Sequence, residues 1–135
     1  MEGSVPLERI AMLIRGLRHA GLCVLYQDRD LAVRLVENRF DTWPEAPAIF
    51  ESGDRAIFPP ETAGMVIATK RRVLETGVPE RIEVRLENGG RDCWYEISIE
   101  PDSDAQGRTR GIFVVAADIT EHKRREETLR GLLAA

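Results

Sequence analysis

The segment GIFVVAADITEHKRREETLRGLLAA, residues 111–135, decides how the end of this chain folds. It begins as an apolar run that indicates a buried strand, and within a few residues it becomes highly charged. No glycine or proline stands between Gly111 and Gly131 to separate that strand from the helix that the charged part predicts. Asp118 and Thr120 are residue types that accept backbone N–H bonds at a helix start. The sequence therefore predicts a stiff corner between the last strand and a terminal helix.

The predicted terminal helix carries two further signals. Asp118 and Glu121 have the spacing of a capping box, although Asp is a less usual first member than Ser or Thr. Leu129, with Leu132 and Leu133, is placed to start a coiled-coil seam with a second chain. We expect this helix to be held by a partner or by sequence that follows it.

Upstream, the chain alternates between helical and extended patterns. Residues 5–20 predict an amphipathic helix that Gly21 ends in a left-handed conformation. Residues 22–27 and 31–37 predict a hairpin. Residues 60–77 predict the longest helix, with Pro60 near its start and Gly77 at its end.

The remainder predicts a β-meander. In residues 80–88 apolar and charged side chains alternate, as in a sheet with one wet face. Residues 88–90, Asn-Gly-Gly, predict a hairpin turn. The next strand is expected to stop at Pro101, and the last strand spans 111–119. The fold class is therefore α+β, a five-stranded antiparallel sheet with helices on one face and a flanking helix at each end.

Composition limits the function classes. The chain has 135 residues and a formal net charge of -4, which disfavours nucleic acid as a partner because phosphate binding needs a basic surface. No apolar run is long enough to span a bilayer, so no membrane partner is expected. Cys23 and Cys93 give no zinc pattern and no disulfide framework, and they are expected to be small buried hydrophobes in a reducing cytoplasm.

Four motifs in order resemble a PAS domain, a sensory module. They are DRDLAVRLVENRF (28–40), FPPETAGMVIATKRRVLETG (58–77), WYEISIEPDSDAQGRTRGIF (94–113) and the terminal DIT (118–120). The sequences in and around the last three motifs most resemble those of PAS domains that precede histidine kinases of the HWE type.

The resemblance implies an organisation and a role. Residues 1–20 would be an N-terminal helix, 21–120 the PAS core, and 121–135 a signalling helix leading to a histidine kinase domain. Asp118, Ile119 and Thr120 would relay a change in the sheet to that helix. A homodimer is expected through the broad apolar face of the first helix, with these interface candidates: Ile10, Leu13, Ile14, Leu17 and Leu129.

A ligand pocket between sheet and helices is the implied sensing site. Strand alternation places Leu25 with Gln27, and Val33 with Leu35, on single faces. The resemblance joins further residues to them, so that the pocket candidates are Leu25, Gln27, Val33, Leu35, Phe40, Trp43, Met65, Val66, Tyr95, Ile97, Val114 and Ala116. Trp94 alternates outward and is expected to be covered by the N-terminal helix. Whether the pocket is filled by its own side chains stays open, as does the identity of any ligand.

Known PAS cofactors fit the sequence poorly. His19 and His122 lie outside the positions from which a haem would be held. A flavin photosensor of this superfamily needs a cysteine between Asn38 and Arg39, and none is there. Such a flavin site would also have polar amide side chains on the last strands, and Tyr95 and Ala116 occupy those positions. We therefore expect no haem, flavin or metal.

No nucleophile–base constellation and no kinase motif is present, so we expect no catalysis from this chain. Two hypotheses follow. The first is a cytoplasmic sensor that binds a small ligand or partner and controls a kinase. The second is a ligand-free dimerisation module that holds kinase subunits in register. Whether Ala135 is a natural end is not decided by the sequence.

Overall fold

Five strands form one antiparallel sheet in the computed structural model, which describes residues 6–88 and 90–134. The strands are β1 (Leu22–Asp28), β2 (Val33–Glu37), β3 (Glu80–Asn88), β4 (Arg91–Ser103) and β5 (Thr109–Asp118). Their spatial order is β2-β1-β5-β4-β3. The last strand therefore inserts beside the first, and the predicted α+β class with a five-stranded antiparallel sheet is confirmed.

Five α-helices flank the sheet in the described part of the chain. They are α1 (Leu7–Arg15), α2 (Ala46–Ser52), α3 (Asp54–Ile57), α4 (Pro60–Thr76) and α5 (Thr120–Ala134). Apolar side chains of α2, α3 and α4 join the inward side chains of the strands in one core. Among the described residues, no helix combines the length and apolar character needed to cross a bilayer.

The longest helix, α4, begins and ends where the sequence predicts. Pro60 occupies its first turn, where a missing N–H costs nothing. Gly77 ends it with φ 69°, a left-handed conformation that glycine adopts without strain. Its inward face carries Ala63, Val66 and Val73, all fully buried.

The first helix is shorter than the predicted range of 5–20, of which Val5 lies outside the described residues. It ends at Arg15, and a short 3₁₀ turn, Arg18–Ala20, leads to Gly21 at φ 73°. Arg15 pairs with Glu37 of β2 at 2.9 Å. This ion pair ties α1 to the outer face of the sheet, beside its β2 edge.

The hairpin of β1 and β2 departs from simple alternation. Gln27 pairs with Val33, but Tyr26 pairs with Leu35, so one residue of β2, Arg34, is left over as a bulge. The expectation that Val33 and Leu35 share a face is therefore wrong. Val33 joins the core, whereas Leu35 lies against α1.

Pro101 does not stop β4, contrary to the sequence prediction. It pairs with Ile112 of β5, and the strand continues to Ser103. The pairing of β4 with β3 reaches only Ile99. Beyond that residue β4 is an edge strand, where a proline is tolerated. The turn before β4 contains Gly90 at φ 81°, and Gly89 lies outside the described residues.

Candidate functional site

Three polar side chains form a hydrogen-bonded network inside the core. The Lys70 Nζ lies 2.6 Å from Asp54 Oδ1 and 2.6 Å from Gln27 Oε1. Gln27 Nε2 donates to the Leu31 carbonyl oxygen at 3.0 Å and to Asp54 Oδ2 at 3.4 Å. Lys70 is 1% exposed and Asp54 is 5% exposed, so this ion pair is cut off from water. Buried charges are rare in proteins unless they are paired, as here.

Burial dominates the electrostatics of the network. It lowers the pKa of the Lys70 ammonium because the charged form loses its hydration, and the Asp54 carboxylate opposes that shift. Burial also raises the pKa of the nearby Cys23 thiol to about 12. Cys23 is therefore a protonated, unreactive core residue at neutral pH.

Four aromatic rings pack together in the core of the protein, beside this polar network. Trp43 packs edge-to-face on Phe40 and Tyr95, with ring centroids 5.0 and 5.4 Å apart, and on Phe58 at 6.1 Å. The Tyr95 hydroxyl lies 3.3 Å from Thr42 Oγ1. The Trp43 Nε1–H is buried without a hydrogen-bond acceptor in the described part of the chain.

The space enclosed by these groups is small. A cavity of about 10 Å³ lies among the sheet, α3 and α4, which is room for about one water molecule. Asp54, Lys70 and Cys23 line it, together with these predicted pocket residues: Leu25, Trp43, Ile97, Val114 and Ala116. In this state the interior is essentially filled.

The other pocket candidates have different positions. Gln27 belongs to the polar network, and Val33, Phe40, Val66 and Tyr95 pack in or against the same core. Met65 is 43% exposed, because Val66 and Thr69 occupy the inward face of α4. Leu35 lies on the outer face of the sheet beyond the bulge. The expectation that Met65 and Leu35 line the pocket is therefore wrong.

Sequence reasoning missed Lys70 and Asp54. Lys70 had a signal, since it falls in the buried series Ala63, Val66, Lys70, Val73 at helical spacing. Asp54 lies in a short helix that the sequence presents as a loop, and nothing in its neighbours predicts a buried carboxylate.

The corner between β5 and α5 is hydrogen-bonded to the neighbouring strand. The Ile119 N–H donates to the Trp94 carbonyl at 2.9 Å, and the Trp94 N–H donates to Thr120 Oγ1 at 3.0 Å. Asp118 Oδ1 accepts from the Thr120 N–H at 3.0 Å and from its hydroxyl at 2.6 Å. The Glu121 carboxylate pairs with Arg125 at 3.3 Å, so it does not complete the predicted capping box with Asp118. The predicted cap at Asp118 is present, and the corner is fastened to β4 as well.

Trp94 is covered by the C-terminal helix and not, as expected, by the N-terminal one. Lys123 of α5 places its Nζ 5.1 Å from the centre of the Trp94 ring and 2.6 Å from Glu83 of β3. A cation over an indole face is an attractive contact. The physical reason is the corner itself, which turns α5 back across β4.

The predicted dimer-interface residues lie at the surface of the described chain. Leu13 and Leu17 of the N-terminal region are exposed, as is Leu129 of α5, whereas Ile10 and Ile14 are half-buried. Met12, Leu132 and Leu133 add to these exposed apolar side chains. Both histidines are exposed, and no group of metal ligands occurs among the described residues.

Comparison with known proteins identifies the family. A family profile described as PAS fold matches residues 17–124, which is most of the chain. This chain belongs to the PAS family. No curated protein matches its sequence.

Several solved structures share this fold. The PAS domain of Bordetella pertussis BvgS is 21% identical over 95% of this chain and 96% of that one, with a TM-score of 0.71. A domain of a putative light and redox sensing histidine kinase from Haloarcula marismortui is 22% identical over 81% and 99%, with a TM-score of 0.62. Vibrio cholerae VqmA, a LuxR-type receptor that has a target DNA, is 17% identical over 88% of this chain, with a TM-score of 0.66. This chain spans about half of VqmA, 53% of its length.

Proposed function

We propose that this PAS domain is the cytoplasmic sensory module of a signal-transduction histidine kinase, and that it controls the kinase through the β5–α5 corner. The observation that carries the proposal is the double hydrogen bond between Trp94 of β4 and the Ile119–Thr120 backbone and side chain. It fixes the first turn of α5 to β4, the strand that lies beside β5 in the sheet. A shift of the sheet would then move α5, because no flexible residue lies between them.

The sheet offers a continuous route from the core network to this corner. Gln27 of β1 pairs with Ile112 of β5, and β5 ends at Asp118. A small molecule or partner that alters packing around Lys70 would therefore act on the strand that leads into α5. A ligand shifts such an equilibrium only by its different affinity for the two states.

The output domain is proposed from the resemblance of the DIT corner and its flanks to domains that precede histidine kinases. The similar domain from Haloarcula marismortui, from a putative histidine kinase, supports it. Catalysis would then belong to the downstream domain. The net charge of -4 supports our expectation that this domain does not bind nucleic acid itself. VqmA makes a DNA-binding output domain the alternative downstream partner.

A second candidate is a ligand-free dimerisation module. It is favoured by the core cavity of about 10 Å³ and by exposed leucines on both terminal helices. Such a module would hold two kinase subunits in register through Leu13, Leu17 and Leu129, without sensing a molecule. A homodimer is expected under both candidates.

The test uses the full-length protein with Asp118→Ala, and Asp104→Ala as the matched control. Asp104 caps a remote turn through its bonds to the Gln106 and Arg108 N–H groups. We expect the corner variant to change autophosphorylation from labelled ATP while the fold, checked by circular dichroism, persists. Unchanged regulation in the folded corner variant would refute the relay.

A further inference from the structure

Asp54 separates two spaces that would otherwise join. On its inner side it lines the core cavity with Lys70. On its outer side it lines a surface groove of about 310 Å³ between the β1–β2 turn and α2–α3. A volume of this size is at the lower end of small-molecule sites. Gly53, which precedes Asp54, has φ 60° and ψ −135°, a conformation that only glycine adopts readily.

The Lys70 side chain can stay charged in this dry core only while an anionic partner contacts it. Asp54 is the acid that contacts it in the described chain, at 2.6 Å. An isolated ammonium in a dry core is strongly disfavoured. If Asp54 leaves, Lys70 keeps its charge only when another anion takes the place of Asp54.

The groove offers Asp54 a new partner. Arg55 and Arg71 both line the groove and are exposed, and neither forms an ion pair within the described part of the chain. A carboxylate that turns outward about Gly53 would face these guanidinium groups, which bind carboxylates well. The exchange leaves no charge unpaired.

The cavity lining indicates the body of the incoming anion. Apart from the ion pair and the Cys23 thiol, it is lined by aliphatic and aromatic side chains, including Trp43 and Phe58. When Asp54 turns outward, this cavity of about 10 Å³ joins the groove of about 310 Å³, and the flat apolar body of an anion in the joined space would gain contacts with such side chains.

We propose that this core binds a small organic monocarboxylate with a flat apolar body, whose carboxylate replaces Asp54 on Lys70. Asp54 then turns into the groove, and the two spaces become one. The inference rests on the proposed sensory function and names the ligand class for it. Gln27 would transmit the exchange, because it bonds both Lys70 and Asp54 from β1, the strand that pairs with β5.

The probe is benzoate, with benzamide as its uncharged analogue of the same shape. Calorimetric titration of the protein should show binding of benzoate and at least about tenfold weaker binding of benzamide, since a charge-assisted hydrogen bond is at stake. Benzoate should also change the backbone NMR signals of Gly53, Asp54 and Gln27. Equal binding of the two probes, or no binding of benzoate at millimolar concentration, would overturn the proposal.

Two variants give opposite expected effects. Asp54→Asn removes the internal competitor while retaining a polar side chain, so benzoate should bind about tenfold or more tightly than to the unaltered protein. Lys70→Met should abolish binding, whereas Lys123→Met, which alters the other lysine of the sequence, should leave it unchanged. Weaker binding to Asp54→Asn would refute the exchange even if Lys70→Met failed to fold. This outcome is independent of the corner test, which reads kinase output without benzoate.

Discussion

The Thr120 hydroxyl of α5 accepts the backbone N–H of Trp94 at 3.0 Å, so the side chain that starts the terminal helix also belongs to the hydrogen bonding of β4. The same hydroxyl donates to Asp118 Oδ1 at 2.6 Å. One side chain thus joins the end of β5, the N-terminal part of β4 and the first turn of α5. These bonds hold the corner in place although it contains no glycine.

Replacement of Thr120 by valine keeps the shape of the side chain and removes its hydrogen bonds. The half-buried Trp94 N–H then loses its acceptor, at a cost of about 1–3 kcal/mol. We expect α5 and the Trp94 amide to exchange hydrogen for deuterium faster, while α4 keeps its protection. Thr128→Val is the control, because the exposed Thr128 hydroxyl bonds only to Arg124 of its own helix. Equal exchange in the two variants would contradict the role of Thr120.

Gly111 lies directly beneath the Tyr26 side chain on the outer face of the sheet. A Cβ added at Gly111 would lie 2.3 Å from the Tyr26 hydroxyl and 2.7 Å from the Gln27 carbonyl oxygen. The hydroxyl is also held by Asp102 at 2.6 Å. Gly111→Ala should therefore lower the free energy of unfolding by about 1–3 kcal/mol, because backbone and a fixed ring must both shift.

Gly64 provides the matched control for this substitution. It is exposed in α4, and nothing lies within 4 Å of an added Cβ. Gly64→Ala should raise the free energy of unfolding by about 0.5–1 kcal/mol, since alanine favours the helix. Urea denaturation measures both variants, and destabilisation of similar size in both would disprove the contact argument.

The sequence predicts those parts of this fold in which local pattern and tertiary packing agree. The α4 helix has its Pro60 and Gly77 signals, and β3 alternates cleanly, so both are predicted closely. Alternation fails at Arg34 because its bulge is set by the pairing of β2 with β1, which no local pattern records. The packing of α5 over Trp94 likewise depends on the direction in which the chain turns between β5 and α5, which no local pattern records.

The candidate site is predicted only in part, for a related reason. Its apolar members follow from strand alternation and from the resemblance to PAS domains. Lys70 and Asp54 do not, because a charged residue read alone is expected in water. Each is buried only because the other is, and this pairing joins residues from two separate helices.

The Lys70–Asp54 pair should behave non-additively in stability measurements. Lys70→Met alone leaves a buried carboxylate without its partner, which should cost about 3–5 kcal/mol. Lys70→Met combined with Asp54→Leu removes both charges from the core and should be more stable than either single variant, although Gln27 Oε1 still loses its donor. Urea denaturation of the four proteins gives the coupling free energy. Additive effects would mean that the two side chains do not interact as the geometry indicates.

Arg72 and Glu80 form an ion pair between α4 and β3, and its contribution should depend on pH. The Arg72 guanidinium donates to Glu80 at 2.6 and 2.8 Å, and this hydrogen bonding lowers the pKa of the Glu80 carboxyl in the folded state. A carboxyl with a lowered folded pKa stabilises the fold above its unfolded pKa, about 4.3 for glutamate. That stabilisation disappears as the pH falls through the folded pKa, because both states then bind the proton.

Arg72→Gln should therefore lower the melting temperature at neutral pH and converge with the unaltered protein in acid. Arg71→Gln is the control. Arg71 directly precedes Arg72 in α4, and its exposed side chain forms no ion pair within the described residues. Thermal melts followed by circular dichroism across the acidic range measure both. We expect the difference in melting temperature between Arg72→Gln and the unaltered protein to shrink only below the unfolded pKa of glutamate. Above that pH, Glu80 is charged in both the folded and the unfolded state. A difference that stays constant into acid would show that Arg72 stabilises the protein by packing its aliphatic stem and not by holding the Glu80 carboxylate.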